Sequence, residues 1–207
     1  MWYSGSMSVW PAAYGILSER MSFRCFDPAD APAVRVAIAR SRDQLGQFEE
    51  LPDESEPVEI MVERLRLFRS RFDRGEEFRY LATDRESGDV VGTIHAEPLR
   101  AEGVLVGGWL DAGYGGRGYG EEALRAFATV ALEVGHARYV ELRIRPDNAP
   151  SRALATRAGF MHEATLRGRL VVRGESHDEE IWTALREQAR ASARVVVVDA
   201  GGRRLSV

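Results

Sequence analysis

Lysine is absent from the 207 residues: all 28 basic side chains are arginine, which excludes Schiff-base and lysine-nucleophile chemistry. Cysteine is almost absent too. Cys25 stands alone, so an intramolecular disulfide and a multi-cysteine zinc site are ruled out, and a reducing, cytoplasmic setting is expected. No apolar run approaches the roughly 20 residues that a bilayer crossing requires, and residues 1–22 lack the basic start, apolar stretch and cleavage site of a signal peptide. Large net charge is missing as well. The 28 basic and 32 acidic residues leave −4, so direct nucleic-acid binding is not expected, and neither are membrane or metal partners.

What is present is a chain of ordinary folded composition, 44% hydrophobic and 29% charged, long enough to bury a sizeable core. Residues 1–20 read as an extension, native or added, residues 21–189 as one domain, and residues 190–207 as an appended hairpin. Asp27-Pro28 caps a first helix whose face is Val34, Ile38, Ser41 and Leu45. Val58, Met61, Leu65, Phe68 and Phe72 mark a second. Between them, Asp43, Glu49, Glu50, Asp53, Glu54 and Glu56 form an acidic segment, either an attractor for a cationic substrate or a solvated loop and helix start.

Two strands flank a turn ending at Gly88, a third covers Val104 to Leu110, and a helix opens after Gly113 to Gly120. Val140, Leu142 and Ile144 alternate with charged residues in the next strand, followed by a helix ending at Gly159. Two more strands, with turn signals at Gly168 and Gly174, complete a mixed α/β class. The expected architecture is one twisted mixed sheet of about seven strands and about four helices. Its N-terminal part is antiparallel, and one crossover is parallel. Four consecutive valines, Val195 to Val198, would be hazardous as a bare edge, so they are expected to pair with the main sheet or with a second copy of the chain in a homodimer.

Gly115, Gly116, Arg117, Gly118, Tyr119 and Gly120 fall between a strand and the first turn of a helix. Unpaired N–H groups there, uncrowded by side chains, suit phosphate oxygens, and Arg117 adds charge. No Lys-Ser/Thr follows, so this is not a P-loop.

With these residues the chain resembles the GNAT superfamily of acyl-CoA-dependent N-acyltransferases, within it the RimJ/RimL-type protein N-terminal acetyltransferases, over roughly Phe23 to Arg186. The family's R/Q-x-x-G-x-G/A loop falls on Gly115 to Gly120. Trp109-Leu110-Asp111, Asn148-Ala149-Pro150-Ser151, Gly159-Phe160 and His177-Asp178 look like that subgroup. The resemblance implies a GNAT fold with a splayed parallel pair, acetyl-CoA as co-substrate and direct attack by an amine in a ternary complex. It implies that main chain from Leu110 to Tyr119 holds the pantetheine and pyrophosphate, and that backbone near Gly107 to Trp109 steadies the oxyanion. It further implies that Asn148 contacts the pantetheine arm and that Ser151 donates to the leaving thiolate. Capping of the helix is the alternative reading for both residues.

Two positions depart from the pattern. The leading Arg/Gln of the loop is Gly115, and the subgroup's general-base glutamate aligns with Leu105, which leaves the base open among His95, Glu97 and Glu102. A weak base favours an acceptor of low pKa. A peptide α-amine, near 7.7–8.0, needs about 3.5 kcal/mol less deprotonation work than a lysine amine near 10.4. The expected activity is acetylation of a protein or peptide N-terminus, with a small cationic amine or antibiotic as the alternative acceptor. A non-catalytic acyl-CoA-binding module is the alternative from another class.

Overall fold

The structure, a computed structural model, describes residues 10–11, 13–186 and 193–205. Among them ten strands form one sheet in the order β10-β9-β1-β2-β3-β4-β5-β6-β8-β7. The strands are β1 (Gly15–Leu17), β2 (Met21–Cys25), β3 (Phe78–Asp84), β4 (Val90–Pro98), β5 (Gly103–Leu110), β6 (Tyr139–Ile144), β7 (Met161–Val172), β8 (Glu175–Leu185), β9 (Val196–Val198) and β10 (Arg204–Leu205). The helices are α1 (Ala31–Leu45), α2 (Val58–Asp73), α3 (Tyr119–Thr129) and α4 (Ala149–Arg157). Every strand pairing is antiparallel except β5 with β6, which α3 links as a crossover.

The strand number exceeds the expected seven because both chain ends join the sheet. β1 lies between β2 and β9, and β10 pairs with β9. Trp10 is 2% exposed, its ring stacks on Phe127 at 5.4 Å, and its Nε1–H donates to the Tyr80 hydroxyl at 2.8 Å. Trp10, Ala13 and Ile16, within the stretch expected as an extension, are buried in the core. The valine strand pairs with the main sheet and buries Val197 completely. The rest of the expected extensions, residues 1–9, 12, 190–192 and 206–207, lies outside the described residues.

Alternation along the strands divides two cores. Tyr80, Ile94, Val104 and Val106 pack with Phe127 and Ala126 of α3 on one face, while Leu81 and Val90 pack with Val34, Ile38, Met61 and Leu65 of α1 and α2 on the other. The helical spacing read in α1 holds throughout: Val34, Ile38, Ser41 and Leu45 are all buried. One turn signal resolves differently. Gly168, at φ +62°, is a bulge within β7, and its N–H donates to Asp178 Oδ1 at 2.9 Å.

The feature that makes a site is the short parallel pairing. β5 and β6 are in register only from Gly103 with Tyr139 to Leu105 with Glu141. Beyond Leu105 the two strands part, and the sheet opens into a cleft at their C-terminal ends.

Candidate active site

A cavity of about 500 Å³ occupies that opening. Gly107, Gly108, Trp109 and Leu110 of β5 form one wall, and Asn148, Pro150, Ser151 and Leu154 at the start of α4 form the other. A smaller cavity of about 310 Å³ lies between α1 and the acidic segment. It does not reach the cleft, and its Arg42 is already paired with Glu54 at 2.5 Å.

The glycine loop forms the outer rim. Gly115, Gly116, Gly118 and Gly120 line the cavity, whereas Arg117 and Tyr119 point elsewhere. Gly118 caps α3 with φ +83°, a left-handed backbone that most residues adopt only with strain, and no side chain caps the first turn. The amides of Gly116, Arg117 and Gly118 have no hydrogen-bond partner among the described residues. A Cβ at Gly120 would meet the Leu110 and Leu154 side chains at 3.0 Å, so glycine lets these two leucines close against the start of α3. These observations fit an oxygen-rich, phosphate-bearing group at the helix start.

Tyr119 anchors this helix start. Its hydroxyl donates to Asp84 at 2.5 Å, a bond that together with the amides of Ser87 and Glu86 holds the Asp84 carboxyl down at about 2. Arg20 covers the Tyr119 ring at 4.2 Å and donates to Glu122 at 2.7 Å and to the Arg117 carbonyl at 3.0 Å. Arg20 thus joins Arg117 over the Tyr119 ring, just outside the glycine rim. Sequence spacing gave no sign of it, since it comes from the β1–β2 turn.

The expected cofactor residues divide by role. Trp109 and Leu110 line the cleft. Asp111 is buried beneath it, receives the Gly113 amide at 2.9 Å and pairs with Arg40 at 2.6 Å, which fastens the loop to α1. Asn148 caps α4 by accepting the Ser151 amide at 3.2 Å. The Ser151 hydroxyl has no partner among the described residues and faces the cavity, so capping alone does not account for it.

The three candidate bases fare unequally. His95 and Glu97 lie on β4 outside the cavity lining, which takes Thr93 and Ile94 instead. Paired opposite His95, Gly107 leaves the space its ring needs, because a Cβ there would meet the ring at 2.7 Å. Burial, with Arg79 adding to it and Glu77 opposing, lowers the imidazole pKa to about 4. Glu97 stands 3.7 Å from His95 Nε2 and opposite Leu105. Glu102 precedes β5 and so lies roughly 16 Å along the strand from Gly107, away from the cleft.

Of the acidic segment read as a possible attractor for a cationic substrate, Glu49 is the member that lines this cavity. Phe48 and Glu49, just after α1, line the cavity. Partial desolvation among its neighbours raises the Glu49 carboxyl pKa above its usual value, opposed by Arg79, although the residue keeps an exposed surface.

The family model for the "Acetyltransferase (GNAT) domain" matches residues 20–161. The chain belongs to the GNAT acetyltransferase family. Its solved relatives share the fold of this GNAT chain. The RimL ribosomal-protein α-N-acetyltransferase, in complex with coenzyme A, superposes with a TM-score of 0.72 at 23% identity, covering 81% of this chain and 95% of that one. A Salmonella typhimurium acetyltransferase, described as modifying the N-terminal serine of a 50S ribosomal subunit protein, gives 0.72 at 22% identity, covering 82% and 98%. The microcin C7 self-immunity acetyltransferase, solved with acetyl-CoA and AMP, gives 0.74 at 16% identity, covering 81% and 93%. The Bacillus subtilis protein named "Probable N-acetyltransferase YjcK" is 22% identical over 151 residues, 71% of this chain and 83% of its own length.

Proposed function

We propose that this GNAT acetyltransferase moves acetyl from acetyl-CoA to a primary amine, the α-amine of a protein or peptide N-terminus, by direct attack in a ternary complex. The observation that carries the reading is the parting of β5 and β6 with an uncapped helix start on one side and the free Ser151 hydroxyl on the other. Amides of Gly116 to Gly120 would hold the pyrophosphate, with Arg20 and Arg117 adding positive charge. Backbone at Gly107 to Trp109 would lie along the thioester, where its N–H groups can meet the developing oxyanion. Asn148 would meet the pantetheine arm, and Ser151 would give a proton to the departing sulfur.

The acceptor enters from the opposite face of the sheet, between β4, β5 and the segment after α1. That wall contains Trp109, Thr93, Phe48 and Glu49, apolar with one acid, which suits an ammonium on a short chain. The low pKa of an α-amine keeps roughly a tenth of it neutral at pH 7, against under a thousandth for lysine. Two relatives acting on ribosomal-protein N-termini support the same reading. The acid in the cavity also favours a second acceptor class, small polycationic amines.

The test is a thiol-release screen of tetrapeptides with free Ser, Ala or Met N-termini against spermidine and an aminoglycoside. Peptide kcat/KM exceeding that of both small amines is expected. Turnover of the small amines alone would overturn the peptide reading.

A further inference from the structure

Two carboxylates line the cavity. Glu121 is engaged by Arg125 at 3.0 Å and Arg157 at 3.5 Å. Glu49 has no ion pair among the described residues, and Arg79 acts on it only at longer range.

Glu49 is also held in place. Its N–H, like that of Phe48, donates to the Leu45 carbonyl at 2.9 Å, so the segment continues the end of α1 as a tight turn. Arg145, at the end of β6 and 10% exposed, donates to the Gln47 carbonyl at 3.0 Å and lies 5.4 Å from the Phe48 ring. The same guanidinium pairs with Asp147 at 2.5 Å, immediately before Asn148. One largely buried arginine therefore fastens the Glu49 turn to the turn that leads into α4 and Ser151.

We propose that Glu49 receives the acceptor's ammonium group and takes its proton, with Arg145 as the positioning residue that sets it opposite Ser151. The assignment rests on the acetyl-transfer reading above. It fills the role left open by Leu105, since Glu97 and Glu102 lie outside the cavity lining. The charges favour it over His95: a proton on Glu49 neutralises an anion, whereas a proton on His95 would create a second cation near Arg79. The step balances. The ammonium loses one proton to Glu49 and its freed lone pair forms the C–N bond at the thioester carbonyl. Collapse of the tetrahedral carbon breaks the C–S bond, the sulfur keeps the pair and takes a proton from the Ser151 hydroxyl, and the nitrogen sheds its extra proton, which restores that hydroxyl. When the acylated product leaves, Glu49 passes its proton to water, so one proton is released per turnover.

The experiment compares wild type, Glu49→Gln, Glu49→Asp, Glu97→Gln and Arg145→Lys, using the best amine of the screen. Glu49→Gln should lose roughly 100-fold or more in kcat/KM, with coenzyme A affinity within about threefold of wild type. Glu49→Asp should retain part of the activity. Arg145→Lys should lose kcat more than KM, because a point charge does not reproduce the planar fork. Calorimetry on the coenzyme A-loaded protein supplies a readout free of turnover. The free-amine form of a tetrapeptide should bind Glu49→Gln roughly tenfold more weakly than wild type, and its N-acetylated form equally to both. The assignment is overturned if Glu49→Gln stays within threefold in both assays, or if the loss falls on Glu97→Gln alone. If wild type turns over only spermidine or the aminoglycoside, the peptide reading fails while Glu49 is judged on that amine. If wild type neither turns over nor binds any amine, both fall.

Discussion

Lowering the pH should charge His95 at a cost in stability. In the unfolded chain an imidazole titrates near 6.5, while burial in the sheet with Arg79 alongside lowers the folded value to about 4. Between those values the unfolded state binds more protons than the native state, so stability rises with pH across the window. Going down, stability begins to fall near 6.5 and the loss is complete below about 4. Its ceiling is roughly 3 kcal/mol, and about 2 kcal/mol of it should appear between pH 7 and about pH 5. The His95 side chain is 21% exposed, so solvent does not screen most of this penalty. The assay is urea unfolding of wild type and His95→Gln at both pH values. The stability gap should shift by about 2 kcal/mol in favour of the variant at the lower pH. A shift under about 0.3 kcal/mol, or an NMR titration of His95 near 6.5, would refute the argument. The same displacement weakens His95 as a base: drawing a proton from an amine near 8 onto an imidazole near 4 costs about 5 kcal/mol.

Three other outcomes follow from the geometry. Gly118→Val places a β-branched residue at φ +83° and its Cβ 3.3 Å from Arg20 Nη2. Left-handed backbone costs about 1–2 kcal/mol even for a plain L-residue, so coenzyme A affinity by calorimetry should fall at least tenfold, and full affinity would contradict the cradle. Ser151→Ala should lower turnover while leaving coenzyme A affinity nearly intact, because its hydroxyl caps nothing; unchanged turnover would remove it from the mechanism. Trp10→Ala should destabilise by about 3–5 kcal/mol in urea, and a loss below about 1 kcal/mol would show that Trp10 is dispensable to the core.

What could be read ahead of the structure was local. The α1 face, the alternation in β6 and the glycine-rich helix start each follow from residues within a turn or two of one another, and all three stand in the fold. β1 escaped because three residues carry no periodicity and one of its two partner strands, β9, comes from the other end of the chain. Arg20 escaped for the same reason, since its place beside Tyr119 depends on Glu122, which no spacing rule connects to it. Glu49 was legible only as one of six acids in a run; that it alone of the six lines the larger cavity depends on the turn that Arg145 fastens. Gly168 misled because positive φ serves a bulge as readily as a turn.

Leu105 fits a physical account of its own. In the sheet it stands directly between Glu97 of β4 and Glu141 of β6. A glutamate there would set three carboxylates in a row on strands about 5 Å apart, beside an Arg143 already engaged with Glu141 at 3.0 Å. Like charges opposite one another raise each other's pKa and destabilise the pairing, so leucine relieves the row at the point where the parallel ladder must hold before it opens. The cost is that β5 offers no carboxylate at this position. A carboxylate delivered from the turn after α1 meets the acceptor from above the cleft instead, free of that repulsion. Its position then depends on Arg145, which ties the acceptor side of the site to the helix start bearing Ser151.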